Sequence, residues 1–288
     1  MIVLTIARLT LAEAARRRLF LVLIILTGIA VVLTGWGFAQ LSSVDIPTGG
    51  DVTPEAARSL VVSQVLILVT FMFSFVLALG AAFISAPVMA EDLESGVILA
   101  VLARPVRRAE LLMGKWLGVL ILIAGYAVLS GVVELLVVDL TTGYLPPEPI
   151  QAVVLLVGEA TVLLTLTVAL STRISAIASG IIAVVLFGVT WILGIVGGIG
   201  DAFDTPQLSF VGAVGRTLLP TDALWRGAVF HLEPAAVLLA YEQAGRNVAA
   251  IFPFAATQPL APAFLAWCVA WTVIVLGLGW LSFRRREL

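Results

Sequence analysis

Six long, predominantly apolar runs are the feature that most restricts how this chain can fold. Each run is about 20 residues long or slightly longer, enough for an α-helix rising about 1.5 Å per residue to cross about 30 Å of hydrocarbon. Because backbone hydrogen bonds must be satisfied within lipid, and the alternation of a membrane β-barrel is absent, we predict an all-α integral membrane protein. The six predicted transmembrane helices are residues 19–39, 60–85, 117–138, 151–170, 176–199 and 263–283.

The composition excludes several other classes of protein. Apolar residues make up 61% of the 288 residues and charged residues 12%, against about 45–50% and about 25% in a globular chain. The net charge of −2 and the lack of a basic tract give no indication of nucleic-acid binding. With one cysteine, Cys268, and one histidine, His231, we expect no disulfide framework, metal site or cofactor in this chain.

The first apolar run follows three arginines, a pattern that also begins secretion signals. The run is too long for a signal core and no small-x-small cleavage site stands out at its end, so we favour a retained span. Residues 1–18 place apolar side chains at helical spacing, which predicts an N-terminal elbow helix along the membrane interface. The alternative is an extension of the first span.

The distribution of basic residues predicts the orientation. With both termini in the cytoplasm, the 16 Lys and Arg residues all fall inside except Arg58, Arg216, Arg226 and Arg246. This asymmetry follows the positive-inside rule, and an even number of spans places the terminal arginines on the same side.

Residues 201–262 form a long outer segment before the last span. Charges such as Arg226 and Glu233 argue against another complete crossing, so we expect re-entrant or interfacial helices there. We interpret Thr221 as a helix N-cap with Asp222 in the first turn, and His231 as structural. We expect no catalytic residue in the chain.

The loop at residues 90–115 is the sizeable connection on the cytoplasmic side. An acidic cluster opens it, a short apolar helix follows Gly96, and Arg104-Pro105 ends that helix. An apolar run flanked by opposite charges is typical of a docking surface for another protein. The alternative is a solvated connector whose arginines only set the topology. Gly114-Lys115 does not complete a phosphate-binding loop, because Ala109 and Trp116 occupy the other motif positions.

This loop resembles the coupling loop between the second and third spans of type-2 ABC permeases. The matching pattern is acid, Ser-Gly, apolar helix, Arg-Pro, basic pair and Leu-Leu-x-Gly-Lys, although Val97 stands where threonine is common. The coupling residues that the resemblance implies are Glu91, Asp92, Glu94, Ser95, Gly96, Leu99, Leu102, Arg104, Pro105, Arg107 and Arg108.

The resemblance also implies partners and a location. The chain would be a single permease domain over residues 1–288 that works with an ABC ATPase dimer, which binds ATP and Mg. A second copy of the chain would complete a homodimer in the cytoplasmic (inner) membrane. Within the family, the chain is similar to the permease of the nitrous-oxide-reductase maturation transporter through residues 218–222 (LLPTD) and 283–288 (FRRREL).

Two carboxylates, Glu134 and Glu159, fall inside predicted spans. Because an ionised group in lipid costs at least about 2.5 kcal/mol, each should face a cavity, a partner or another helix. We predict that they line the translocation path. The alternatives are a side chain reaching the headgroups for Glu134 and a structural hydrogen bond to a neighbouring helix for Glu159.

Other functions remain open at this point. An ion-driven secondary carrier could use Glu134 and Glu159 as proton sites, but it gives no reason for the docking loop. A membrane anchor for a complex is also compatible with the sequence. An intramembrane enzyme would require clustered nucleophiles or ligands in the spans, and the sequence shows none.

Overall fold

The computed structural model describes residues 2–43, 54–98, 106–244 and 254–286, and within these ranges the chain forms eleven α-helices and no strand. Six helical segments are long and apolar enough to cross a membrane, which confirms the all-α fold with six candidate spans. The helices are α1 (Ile2–Ala15), α2 (Arg18–Ser42), α3 (Pro54–Ser85), α4 (Pro87–Glu94), α5 (Arg108–Thr142), α6 (Pro149–Leu170), α7 (Ala176–Ala202), α8 (Pro206–Leu218), α9 (Thr221–Leu232), α10 (Ala235–Ala244) and α11 (Pro262–Arg284).

The structure corrects the prediction of a loop over residues 90–115, because much of this range is helical. Residues 90–94 belong to α4, and α5 begins at Arg108, well before the predicted span. The Glu110 carboxylate accepts a hydrogen bond of 2.8 Å from the Arg107 backbone N–H and starts α5 there. Helices need not stop at the lipid boundary, because Glu, Lys and Arg are themselves good helix formers.

Charged side chains tie together one end of the bundle, which we call the basic end. Arg17 pairs with Glu91, at 2.8 Å between Nη2 and Oε2. Arg173 donates to the Ser282 carbonyl at 2.7 Å, and Arg286 donates to the Thr172 carbonyl at the same distance. The first and last described helices therefore meet at the same end as α4.

Helix α6 is the centre of the packing, in contact with α3, α5, α9 and α11. Its buried face joins a large apolar core, to which α9 contributes Leu224 and Trp225. Helix α1 lies against α5, where Gly114 and Gly118 leave room for its backbone. The exposed Leu4 and Leu9 of α1 face away from the bundle, as expected for an elbow helix at an interface.

Helices α8 and α9 form a hairpin that enters the bundle from the end opposite the basic end. Helix α8 runs antiparallel along α7, with Gly212 against Gly197 and Gly215 against Leu193. Helix α9 then returns, and Tyr144 Oη donates to the Leu232 carbonyl at 3.2 Å beside the start of α6. The turn of the hairpin reaches the level of Gly194, roughly 12 Å from the end of α7 at 1.5 Å per residue. This agrees with the predicted re-entrant helices.

The crossing of α7 and α8 depends on Gly197. A Cβ atom at this position would lie 2.8 Å from Gly212 Cα, a backbone atom that cannot move alone, whereas Gly188 on the same helix has no atom within 4 Å. We expect Gly197→Ala to lower the free energy of unfolding by about 1–3 kcal/mol through overpacking. The matched Gly188→Ala variant should raise it by up to about 1 kcal/mol through helix propensity. Thermal unfolding of both variants in detergent tests this, and equal midpoints would contradict it.

Candidate functional site

Helix α4 is held firmly against two other helices at the basic end. Lys115 of α5 is buried, and its Nζ donates to the Val88 carbonyl at 2.6 Å and pairs with the Asp92 carboxylate. On the other side, Arg17 donates to both Glu91 oxygens, at 2.8 and 3.1 Å. Charge-assisted bonds of this kind are stronger than neutral ones. A displacement of α4 would therefore be passed to α5 and to the junction of α1 and α2.

The chain turns sharply after α4. The Ser95 N–H bonds the Glu91 carbonyl at 2.9 Å, and Gly96 follows with φ of 74°, a left-handed conformation that glycine adopts without steric cost. A new helical segment starts at Val97, which is 51% exposed. Of the predicted coupling residues, Leu99, Leu102, Arg104 and Pro105 lie outside the described residues.

Ile98 shows that the predicted docking run is not exposed at every apolar position. Its side chain is buried in a small cluster contributed by several helices. The other buried members of this cluster are Met89, Leu111, Leu112, Val168 and Phe283. The segment after α4 is therefore anchored to α5, α6 and α11, and Val97 is left facing outward.

The two arginines of the predicted basic pair have different surroundings. Arg107 is exposed beside the start of α5. Arg108 turns inward, and its Nη1 donates to the carbonyls of Phe283, Arg284 and Arg286 at 2.9–3.0 Å. Its guanidinium also lies 5.5 Å from the centre of the Phe283 ring. Glu94 is exposed. Glu94, Val97 and Arg107 are all exposed, and we call these three residues the docking surface.

A second group of charged residues lies at the turn of the α8–α9 hairpin, and we call it the charged cluster. The buried Asp222 carboxylate accepts from Arg216 Nε at 3.1 Å and from Arg226 Nε at 3.1 and 3.3 Å. Arg216 Nη2 also donates to the Gly194 carbonyl at 3.3 Å. One carboxylate thus holds two cations, and Arg216 connects the hairpin to α7.

The sequence interpretation missed this cluster and assigned Thr221 wrongly. Helix α9 begins at Thr221, whose buried hydroxyl has no hydrogen-bond partner, so it is not the N-cap. Asp222 does lie in the first turn. Arg216 and Arg226 were counted only as outer charges. The i,i+4 spacing of Asp222 and Arg226 was the signal that could have identified the pair.

A cavity of about 780 Å³ opens beside the charged cluster. Arg216 and Arg226 lie along its wall, together with Asp201, Asp204 and Gln258. Its size falls within the roughly 300–1,000 Å³ of known ligand sites. Among the described residues, no group of three His, Cys, Asp or Glu side chains is arranged to hold a metal ion.

The two intramembrane carboxylates lie in different surroundings. Glu159 of α6 is buried against α3, where Ser74 Oγ is 2.9 and 2.8 Å from its two oxygens. This is the inter-helix hydrogen bond that the sequence left open as its alternative role. Glu134 of α5 is also buried, and it lines a crevice between α2, α3 and α5.

Titratable groups gather where α9 ends beside the start of α6. His231 Nδ1 pairs with the Glu148 carboxylate. Burial raises the pKa of Tyr144 to about 12, so that its hydroxyl stays neutral and donates to the Leu232 carbonyl. Burial also raises the pKa of Glu233 to about 8, an effect that the nearby Ala256 N–H offsets only in part.

The raised pKa of Glu233 predicts a pH dependence of stability. Between about pH 4.5 and 8 the folded state holds a proton that the unfolded state has released, so the free energy of unfolding falls as pH rises through this interval. The test compares Glu233→Gln with wild type at pH 5 and at pH 9. From the lower to the higher pH, we expect the free energy of unfolding of wild type to fall relative to that of the variant. The expected change is more than the roughly 1.4 kcal/mol that corresponds to one pKa unit. Thermal unfolding at the two pH values measures this. Parallel pH profiles would contradict it.

Comparison with known proteins places this arrangement in a family. A family model described as ABC-2 family transporter protein matches residues 4–288, almost the full length of the chain. No curated protein matches the chain significantly.

Proposed function

Because the chain belongs to the ABC-2 transporter family and is thus a membrane permease component of an ABC transporter, we propose that ATP hydrolysis by a separate ATPase subunit drives it. The ATPase docks on the docking surface, made of Glu94, Val97 and Arg107. The basic end lies on the cytoplasmic side of the inner membrane, as the asymmetry of Lys and Arg predicts. The ATPase binds ATP and Mg, and this chain supplies the path by which the substrate crosses the membrane.

The contacts of α4 carry this proposal. Glu94 and Val97 of the docking surface lie at the end of α4 and just after it, and α4 is tied to α5 through Lys115 and to the α1–α2 junction through Arg17. Ile98 adds a third attachment through the buried cluster with Phe283. A force applied at the docking surface therefore reaches the spans through charge-assisted bonds and close packing. A passive connector would not need these attachments.

We further propose that two copies of the chain pair and that each binds one ATPase of a dimer. The spans leave wide apolar faces exposed, including most of α2, and lipid or a second copy would cover these faces. We also propose that the chain is related to the permease of the nitrous-oxide-reductase maturation transporter. The LLPTD residues that suggest this relation contain Asp222 of the charged cluster.

ATPase activity in the presence of the permease tests this function. The chain would be coexpressed with the partner ABC ATPase, and ATP hydrolysis would be measured in proteoliposomes. We expect Glu94→Arg to reduce stimulation of hydrolysis several-fold, because the variant places a cation where the docking surface offers an anion. The matched Asp201→Arg variant, exposed at the opposite end, should stimulate as wild type does. Equal stimulation by both variants, or transport by the chain alone, would overturn the proposal.

A further inference from the structure

The carboxyl group of Glu134 is only partly satisfied in its apolar surroundings. The residue is 9% exposed, and its Oε1 has no hydrogen-bond partner. Thr34 of α2 lines the same crevice as Glu134. The nearby Thr27 hydroxyl is paired with Tyr126 Oη instead. A buried carboxyl oxygen without a partner is costly, so this oxygen is available to a donor from outside the chain.

Glu134 lies at the wall of an apolar crevice with a volume of about 230 Å³. Helices α2, α3 and α5 form the crevice, and Leu26, Leu33 and Met72 are among its lining residues. These three side chains are also exposed on the outer surface of the bundle, so the crevice opens toward lipid. Its volume is below the roughly 300–1,000 Å³ of drug-sized sites, which favours a narrow ligand.

We propose that this crevice binds an amphiphile made of an apolar chain and a protonated amine, with the amine donating to Glu134. The lining residues of the crevice include no cation that could neutralise the carboxylate. An ammonium group supplies both the positive charge and the N–H donors that Oε1 lacks, while the chain lies along α2 and α3. The ligand enters sideways from the membrane, and its binding does not depend on the proposed ATPase.

Native mass spectrometry of the full chain in detergent tests the site with dodecylamine and dodecanol as probes. The two probes share a chain and differ in the headgroup. We expect the wild-type protein to bind one dodecylamine between roughly tenfold and a hundredfold more tightly than dodecanol, which corresponds to one charge-assisted hydrogen bond. Glu134→Gln should lose this preference. Equal binding of the two probes by the wild type, or a preference that survives Glu134→Gln, would overturn the proposal.

Two further variants separate the site from the fold. Asp139 is on the same helix as Glu134 but does not line the crevice. The Asp139→Asn variant should therefore keep the preference for the amine. Ala30→Phe fills the crevice while leaving the carboxyl group in place, so it should lose both probes. Binding of both probes by Ala30→Phe, as in wild type, would place them elsewhere and overturn the assignment.

A parallel measurement in nanodiscs distinguishes the source of the amine. Preferential retention of phosphatidylethanolamine over phosphatidylcholine, whose quaternary nitrogen has no N–H donor, would identify a membrane aminolipid as the occupant. Retention of dodecylamine without this lipid preference would identify a soluble lipophilic amine. Both results support the site, because the chemistry recognised is the same.

Discussion

Replacing Asp222 with alanine is expected to lower the free energy of unfolding by about 3–5 kcal/mol, the usual cost of breaking a buried ion pair by removing one partner. The side chain is almost fully buried, and it is the carboxylate that Arg216 and Arg226 share. Without it, two mostly buried guanidiniums would repel each other at the turn of the α8–α9 hairpin. We expect the hairpin to detach from α7 and the thermal unfolding midpoint to fall sharply.

Two further variants test whether the loss of stability in Asp222→Ala comes from its ion pairs. Asp201→Ala removes an exposed carboxylate from the last turn of α7 and should leave the midpoint unchanged. Adding Arg226→Gln to Asp222→Ala should recover part of the lost stability, because it removes the repulsion between the cations. If the single Asp222 variant were as stable as wild type, Asp222 would not hold the hairpin in place.

Lys115→Met is expected to uncouple the permease from its ATPase. The variant keeps the length of the side chain but removes the bonds from Nζ to Val88 and Asp92 that hold α4 on α5. Hydrogen bonds to charged groups contribute about 1.5–3 kcal/mol, so we expect stimulation of ATP hydrolysis to fall roughly tenfold to a hundredfold. ATPase assays in proteoliposomes measure the loss.

Binding of the ATPase should persist in this variant, because Glu94, Val97 and Arg107 are unchanged. Lys115→Arg keeps the positive charge and should retain more stimulation than methionine does. Undiminished stimulation by Lys115→Met would show that the Lys115 bonds do not transmit motion from α4 to α5.

The six spans were predictable because length and apolarity are sufficient to place a helix in lipid. Each predicted run lies within a helix of the structure, and the limits differ mainly where charged residues extend a helix, as at Arg108. The helical hairpin between the fifth and sixth spans was also predictable, since residues such as Arg226 would be costly in a complete crossing. These features depend only on local composition.

The partners of individual side chains were not predictable to the same degree. In a membrane helix both the lipid-facing and the helix-facing sides are apolar, so the pattern does not show which side packs inward. The burial of Ile98, the hydrogen bond of Glu159 with Ser74 and the open crevice beside Glu134 all depend on how the helices are rotated and paired. Arg216 and Asp222 come together only because a turn separates their helices.

Photo-crosslinking from position 97 tests the central claim most directly. Val97 is exposed on the docking surface, and Phe203, 67% exposed at the opposite end, provides the matched control position. With a photoreactive residue at 97, we expect a crosslink to the ABC ATPase in membranes containing both proteins, and none from 203. A chain that crosslinks to the ATPase only from 203, or from neither position while ATP-driven transport continues, would contradict docking at this surface.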